Sequence, residues 1–146
     1  MRAGAERSLY DDYSDRFDKT GRNLGLGPLT LHEVEDKKGG GMAAEGMLLD
    51  RAVPQGALTC ALDERGKLMT SPDFAKLLAD WRDQGRGDVA FVIGGADGID
   101  PGLRGRVDAK LSFGKMVWPH MLARVMLAEQ LYRAASILSG SPYHRV

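Results

Sequence analysis

The sequence predicts an α/β fold, a mostly parallel sheet flanked by helices. Residues 57–62 (ALTCAL) form a continuous, mainly apolar run and residues 89–93 (VAFVI) a fully apolar one, both of strand length, as expected for strands buried on both faces. Segments with the helical spacing of apolar residues alternate with these runs, which is typical of parallel sheets. The length of 146 residues predicts one domain over residues 1–146.

A helix and an early strand are predicted first. Leu9, Tyr13 and Phe17 recur every four residues, which places them on one helical face with acidic residues on the other. Residues 23–28 form a glycine-rich turn, and residues 29–34 (LTLHEV) have the composition of a short strand.

A loop and a second helix come next. Residues 36–41 (DKKGGG) contain three consecutive glycines, whose backbone entropy disfavours helix or strand. We expect a second helix over residues 42–53, which ends before Pro54 because proline cannot continue a helix.

The third helix has a clear start. Ser71 is its expected N-cap, followed by Pro72 at the first helical position. An apolar stripe at helical spacing follows, formed by Phe74, Leu77, Leu78 and Trp81. Gly85 ends this helix.

The last third contains a short helix over residues 101–109 and a possible third strand over residues 111–115. Pro119 then opens the longest helix, which extends to about residue 138.

Cys60 is the only cysteine, so an internal disulfide is excluded and a reducing cytoplasm is expected. It lies inside an apolar run, which favours a buried, inert thiol over a nucleophile. No run approaches the ~18 apolar residues of a membrane span, and the N-terminal residues have no apolar signal region. We therefore expect a cytoplasmic protein without a membrane partner.

Charge is unevenly distributed. The whole chain is neutral, but residues 102–146 contain seven basic and two acidic residues and carry a net charge of +5. A basic C-terminal third is typical of a local phosphate-binding face. Chance clustering of solvated arginines explains the count equally well.

Residues 91–99 (FVIGGADGI) are the first candidate functional segment. A strand that ends in Gly94-Gly95 lets a ligand approach the backbone closely. The spacing differs from GxGxxG, which disfavours a generic nucleotide-binding α/β domain. A tight strand-to-helix turn is the structural alternative.

Residues 111–134 are the second candidate segment. An apolar loop with Met and Trp leads into a helix start, where free backbone N–H groups can hold polar groups. On the helix, Glu129 and Arg133 have the i, i+4 spacing of an ion pair. A core helix with an exposed salt bridge explains this pattern as well.

The tail, residues 141–146 (SPYHRV), is the third candidate segment. Tyr143 can stack on a base, His144 can move a proton near neutral pH, and Arg145 can hold a phosphate. A frayed polar terminus is the alternative.

Together, these segments resemble the ribosomal RNA large subunit methyltransferase H family, which methylates N3 of a pseudouridine in 23S ribosomal RNA. The matching pieces are FVIGGADGI, LSFGKMVWPH, RVMLAEQLYRA and the terminal SPYHR, in the same order and spacing. ALDERGK is similar to the family's Leu-Asp turn, and SPDFAKLLADWRDQG to its next helix. The resemblance covers residues 57–146 well and residues 1–56 loosely.

The resemblance implies a SPOUT fold with a deep C-terminal trefoil knot, whose cofactor-binding part spans about residues 89–146. It also implies a homodimer that uses S-adenosylmethionine near the dimer interface and acts on 23S rRNA, expected within an assembled ribosome. We expect neither a DNA partner nor a metal site. The implied cofactor residues are Leu62, Gly95, Gly114, Lys115, Met116, Val117, Trp118 and Pro119.

The catalytic residues expected from the tail and the last helix are Tyr143, His144, Arg145, Glu129 and Arg133. His144 and Glu129 are alternative proton acceptors. Arg133 and Arg145 could hold phosphate or stabilise a developing anion.

One departure from the family concerns its first strand. Family members begin with a hydrophobic strand, whereas residues 1–4 here lead almost directly into the first helix. The expectation is a sheet without that strand, which exposes two neighbouring edges. A native start upstream, or a compromised protein, would explain it.

Two further functions remain open. One is a SPOUT methyltransferase that acts on another RNA, such as tRNA. The other is a non-catalytic RNA- or ribosome-binding module.

Overall fold

The computed structural model describes residues 4–35, 39–95 and 98–145. The chain packs as two compact units. The helical unit comprises Met1–Leu31, Thr70–Gly85 and Met121–Val146, and the sheet unit comprises His32–Met69 and Arg86–His120. The elements are α1 (Ala5–Arg22), α2 (Gly41–Ala52), β1 (Leu58–Leu68), α3 (Ser71–Asp83), β2 (Val89–Ile93), α4 (Pro101–Arg106), β3 (Ala109–Ser112) and α5 (His120–Ser139).

The sheet unit contains three described strands in the order β2-β1-β3, and both pairings are parallel. The α/β class and the parallel sheet are therefore confirmed. Leu62 and Lys67 both pair with Leu111, so the register of β1 shifts between them. Gly66 lies in this excursion, where a Cβ would come within 2.8 Å of the Leu111 backbone. The predicted strand at 57–62 thus extends to Leu68 beyond a local irregularity.

The core of the sheet unit lies between its strands and its helices. Buried residues from β1, β2, α4 and the segment before α4 form it, namely Ala61, Val92, Leu103 and Ile99. Cys60 is also buried, and this burial raises the pKa of its thiol to about 12. The prediction of a buried thiol is confirmed, and its raised pKa disfavours the reactive thiolate form.

The buried face of α1 is rotated relative to the predicted one. Tyr10, Ser14, Phe17 and Gly21 are buried, whereas Leu9 is 45% exposed. Strict four-residue spacing drifts around a helix of 3.6 residues per turn, while steps of four, three and four keep one face. The prediction is therefore correct at Phe17 and wrong at Leu9.

The predicted strand over residues 29–34 is not formed, because no described strand pairs with it. The Leu29 N–H instead donates to the Asp18 carboxylate at 2.8 Å. Leu29 and Leu31 pack against a helical core formed by Tyr10, Val125 and Ala128. Their apolar character thus serves packing on helices rather than strand pairing.

The N-cap of helix α3 lies one residue earlier than predicted. Thr70, not Ser71, is the N-cap, and its hydroxyl accepts from the Asp73 N–H at 3.2 Å. Ser71 is the first helical residue, and its hydroxyl donates to Gln130 of α5 at 2.7 Å. The apolar stripe is confirmed at Phe74, Leu78 and Trp81, which are buried.

The remaining boundaries lie near the predicted ones. Helix α4 ends at Arg106, three residues before the expected end, and β3 starts and ends earlier than expected. Of the predicted loop 36–41, residues 36–38 lie outside the described residues. The place of the expected first strand, before α1, also lies outside them, since the description begins at Gly4. Among the described helices, none combines the length and apolar character that crossing a membrane requires.

Candidate active site

The three parallel strands bring separate segments of the sheet unit to one edge of the sheet. Leu62 pairs with Ile93, the last residue of β2, and with Leu111 of β3. Gly95 follows β2 by two residues, and Gly114 follows β3 by two residues. The carboxyl edge of a parallel sheet is where α/β proteins hold ligands. Three of the predicted cofactor segments therefore lie toward the same carboxyl edge of the sheet.

The glycine segment after β2 is a tight turn. A Cβ on Gly94 would lie 2.6 Å from the Gly98 backbone, so a side chain does not fit there. The Gly98 N–H donates to the Gly95 carbonyl at 3.0 Å. Two residues of the segment, Ala96 and Asp97, lie outside the described residues. The tight turn considered as the structural alternative for this motif is thus present at Gly94.

Glu45 of α2 joins this edge, although the sequence did not single it out. Its Oε1 accepts from the Gly95 N–H at 2.9 Å, and its Oε2 lies 2.6 Å from where a Cβ on Gly95 would stand. The adjacent Gly46 lets α2 approach Asp100, whose Cβ would be 2.8 Å from a Cβ on Gly46. A carboxylate is therefore held beside the backbone of a predicted cofactor residue.

Ser112 fixes the start of the loop after β3. Its buried hydroxyl accepts from the Gly114 N–H at 3.0 Å and lies 3.2 Å from the Glu64 carbonyl oxygen, to which it can donate. Gly114 has a φ of +120°, a conformation that favours glycine. These two residues determine how the chain leaves the sheet.

Residues 114–119, here called the apolar loop, are mostly exposed. Met116 and Val117 are 75% and 82% exposed, and Trp118 is 43% exposed. Lys115 and Pro119 are exposed as well. Large apolar side chains grouped on a surface mark a binding site for a ligand or partner. The apolar loop is thus available for binding, rather than forming part of the core of the sheet unit.

In the helical unit, Glu129 and Arg133 form the predicted i, i+4 ion pair on α5. Arg133 Nη2 lies 2.6 Å from Glu129 Oε1, and its Nε donates to the same oxygen at 2.7 Å. Their side chains are only 17% and 25% exposed, so the pair is less solvated than a surface bridge. The hydrogen bond to Glu129 raises the pKa of the Arg133 guanidinium, which keeps this cation fully protonated.

The tail returns to α5 through a glycine turn. Gly140 has a φ of +77°, and the Ser141 N–H donates to the Ser136 carbonyl at 2.9 Å, which is a common helix ending. Tyr143 then donates its hydroxyl to Glu129 Oε1 at 3.3 Å. The tail is therefore held against the helix rather than frayed.

The Tyr143 ring packs between side chains of α5. Its centroid is 4.6 Å from that of Tyr132, and the Arg133 guanidinium carbon is 4.9 Å from it. Burial and the nearby Glu129 carboxylate raise the pKa of Tyr143 to about 12, so its hydroxyl stays a donor. A nucleobase that stacks on Tyr143 must therefore share the ring with these neighbours.

His144 and Arg145 follow. Arg133 Nη1 lies 3.1 Å from His144 Nδ1, and His144 is half-buried, whereas Arg145 is exposed. Four of the five predicted catalytic residues are thus joined by direct contacts, and Arg145 is their neighbour in the chain. We call Glu129, Arg133, Tyr143 and His144 the α5–tail cluster.

The aromatic surroundings of this cluster could not be recognised in the sequence pattern alone. Tyr132 contacts both Tyr143 and Tyr13, and the Arg16 guanidinium lies 5.8 Å from the ring centroids of Tyr13 and Tyr132. Tyr132, which precedes Arg133 in the chain, was the residue that could have indicated these aromatic contacts. For Glu45, the following Gly46 could have indicated a close approach of α2 to its neighbours.

The sheet unit is a parallel α/β sheet with an exposed apolar loop at its carboxyl edge, and the helical unit holds the polar α5–tail cluster. An exposed apolar loop at the carboxyl edge of a parallel sheet is typical of ligand-binding α/β proteins. Comparison with known proteins specifies the class. A family model described as "Predicted SPOUT methyltransferase" matches residues 1–144. The chain belongs to this family, and within it to the ribosomal RNA large subunit methyltransferase H group, as the resemblance implied.

The curated relatives match along the whole chain. "Ribosomal RNA large subunit methyltransferase H" of Dinoroseobacter shibae is 70% identical over 146 residues, covering 100% of this chain and 94% of the relative. The proteins of the same name from Ruegeria sp. (strain TM1040) and Paracoccus denitrificans are 68% and 66% identical, with 100% and 99% of this chain and 94% and 93% of each relative covered.

Proposed function

We propose that this protein is an S-adenosylmethionine-dependent methyltransferase that methylates N3 of a pseudouridine in 23S rRNA of the large ribosomal subunit. The observation that carries the proposal is the full-length similarity, up to 70% identity, to relatives named for large-subunit rRNA methylation. The α5–tail cluster, with its polar and titratable side chains, supports an enzyme rather than a passive binding module.

The proposed cofactor residues are Leu62, Gly95, Gly114, Lys115, Met116, Val117, Trp118 and Pro119. They fit S-adenosylmethionine because an exposed apolar loop can cover its adenine, and backbone groups at the sheet edge can bond its polar atoms. The Glu45 carboxylate adds an acceptor beside Gly95. When bound, this cofactor supplies an electrophilic methyl group on a positively charged sulfur.

The proposed catalytic residues are Tyr143, His144, Arg145, Glu129 and Arg133. The target nitrogen is a weak acid that must lose its proton before or during attack, so charge on the ring needs stabilisation. The Glu129 carboxylate accepts hydrogen bonds from Arg133 and Tyr143, which hold it in place within the cluster. Exposed Arg145 is suited to holding a phosphate of the RNA.

The proposed partners are a second copy of this chain and 23S rRNA within an assembled ribosome, in the cytoplasm. The net charge of +5 over residues 102–146 supports an RNA partner. A homodimer and the deep C-terminal trefoil knot, both implied by the family resemblance, complete the proposal. Sedimentation analysis at micromolar concentration tests the dimer, since a monomer would contradict it.

The decisive experiment is methylation of ribosomes from a strain that lacks the native modification, followed by mapping of the modified base. Transfer to a large-subunit pseudouridine supports the proposal. Transfer to tRNA instead would identify another RNA as the target. Binding of S-adenosylmethionine without transfer to any RNA, or no binding by calorimetry, would indicate a non-catalytic module.

A further inference from the structure

The contact between Arg133 and His144 determines which ring nitrogen of the histidine bears a proton. Arg133 Nη1 and His144 Nδ1 are 3.1 Å apart. A guanidinium has only N–H donors and no acceptor, so the histidine nitrogen must provide the lone pair. In the neutral imidazole, the single proton then lies on Nε2. Double protonation would instead set an N–H of the ring against an N–H of the arginine.

Arg133 is itself fixed in this role. Glu129, one turn earlier on α5, holds its Nε and Nη2 at 2.7 and 2.6 Å. Tyr143 donates to the same carboxylate, and its ring lies 4.9 Å from the guanidinium carbon. These contacts leave Nη1 directed at the histidine. The chain of carboxylate, guanidinium and imidazole resembles the partners that orient a catalytic histidine through its second nitrogen.

From this geometry we infer that His144 acts on the target base as a hydrogen-bond donor through its Nε2–H, and that Arg133 is the positioning residue that enforces this state. The inference rests on the proposed function. It assigns His144 to stabilising the negative charge on a carbonyl oxygen of the base, and it excludes His144 as the acceptor of the N3 proton. This role differs from the one expected from the sequence, in which His144 is one of two alternative proton acceptors.

The step balances without a protein base. The N3 proton passes to a hydroxide ion of the solvent and forms water. The electron pair left on N3 forms the new bond to the methyl carbon, and the electrons of the broken carbon–sulfur bond remain on sulfur. The negative charge of the ring spreads onto its two carbonyl oxygens before transfer, and a donor at one of them stabilises that charge.

Substitutions of His144 separate the two roles. In His144→Gln, the amide oxygen can accept from Arg133 and the amide NH₂ can donate to the base, but the side chain cannot take up a proton at neutral pH. We expect His144→Gln to keep single-turnover methylation within about tenfold of the wild-type rate, and His144→Ala to lose about 10²–10³-fold. Equal loss in both variants would overturn the donor role.

The pH dependence provides a second arm. If solvent removes the proton, the wild-type and His144→Gln rates both rise about tenfold per pH unit from pH 6 to 8, since the reactive anion becomes more abundant. The inference is wrong if the wild-type rate levels off above a pH of about 6.5, the ordinary pKa of a histidine side chain, while the His144→Gln rate continues to rise.

A spectroscopic arm does not depend on activity. The two nitrogens of a neutral imidazole have distinct ¹⁵N shifts, and the chain contains three histidines, so the signals missing in His144→Gln identify those of His144. We expect the pattern of the Nε2–H form in the wild type and a mixture of tautomers in Arg133→Ala. A proton on Nδ1 in the wild type would overturn the inference. Failure of the wild type to methylate any RNA would refute the proposed function, while this measurement would still test the tautomer.

Discussion

The apolar loop of the sheet unit and the α5–tail cluster of the helical unit differ in how their side chains are exposed and bonded. Met116 and Val117 leave three-quarters or more of their surface exposed, whereas the Glu129 and Arg133 side chains are mostly buried and bonded to each other. A polar cluster satisfies its hydrogen bonds internally, so its chemistry can be derived from one chain. An apolar loop gains its contacts by binding, so its role depends on its partners.

The largest expected effect tests the cluster side of this comparison. Arg133→Ala removes the contacts to both Glu129 and His144, so we expect the single-turnover rate to fall about 10²–10³-fold. The matched control is Arg7→Ala, which removes an exposed i, i+4 pair with Asp11 on α1 and should leave the rate unchanged. A similar loss in both variants would show that general charge, and not the cluster, drives activity.

The next effect tests the apolar loop. Trp118→Ala removes a large ring from the proposed cofactor site, and calorimetry should show at least about tenfold weaker S-adenosylmethionine binding, or about 1.4 kcal/mol. The thermal midpoint should stay unchanged, because the side chain is 43% exposed. Met47→Ala, an exposed methionine of α2 in the same unit, is the control. A lower midpoint with unaltered affinity would make Trp118 a packing residue and remove the contrast between the two regions.

The third effect concerns Glu45, which accepts a hydrogen bond from the backbone of Gly95, a proposed cofactor residue. Glu45→Ala leaves the partly buried Gly95 N–H without its acceptor, which should lower the free energy of unfolding by about 1–3 kcal/mol. Glu45→Gln keeps an acceptor oxygen and should be milder. Urea unfolding measures both, with Glu64→Gln as the exposed control in the same unit. Equal destabilisation by Ala and Gln would mean that the negative charge, and not the hydrogen bond, stabilises the turn.

What the sequence could predict follows the range of each interaction. The strand at Val89–Ile93, the first half of the strand at Leu58–Leu68 and the Glu129–Arg133 pair depend on local composition and spacing, and these were predicted in place. The second half of that strand, beyond the register shift, was not predicted. The strand expected at residues 29–34 was wrong, because a strand needs a paired neighbour that composition does not provide.

The site was less predictable where contacts join distant residues. Glu45 meets Gly95 across fifty residues, a contact that depends on how α2 packs on the sheet. The bond from Tyr143 to Glu129 requires the chain to reverse at Gly140, a glycine that does mark a helix end in sequence. The contact between Arg133 and His144, from which we infer the tautomer of His144, could not be predicted either, because it joins the tail to α5 across eleven residues.

The smallest expected effect concerns Cys60, which is buried in the interior of the sheet unit, in contrast to the exposed apolar loop. Burial raises the pKa of Cys60 from 9.0 to about 12, so the folded state keeps a thiol proton that the unfolded state loses. The contribution of this pKa shift to the free energy of unfolding is complete below pH 9 and is lost as the pH rises toward about 12, with a slope of at most about 1.4 kcal/mol per pH unit.

Urea unfolding between pH 8 and 10.5 should therefore show that the free energy of unfolding falls more steeply with pH for the wild type than for Cys60→Ala. The cavity left by Cys60→Ala lowers this free energy by the same amount at every pH, so it does not change the slope. Tyr143 also titrates in the alkaline range, but it is common to both proteins and cancels in the difference. If the two proteins instead show the same slope with pH, water reaches the Cys60 thiol, and the expected contrast between the buried interior and the exposed apolar loop does not hold.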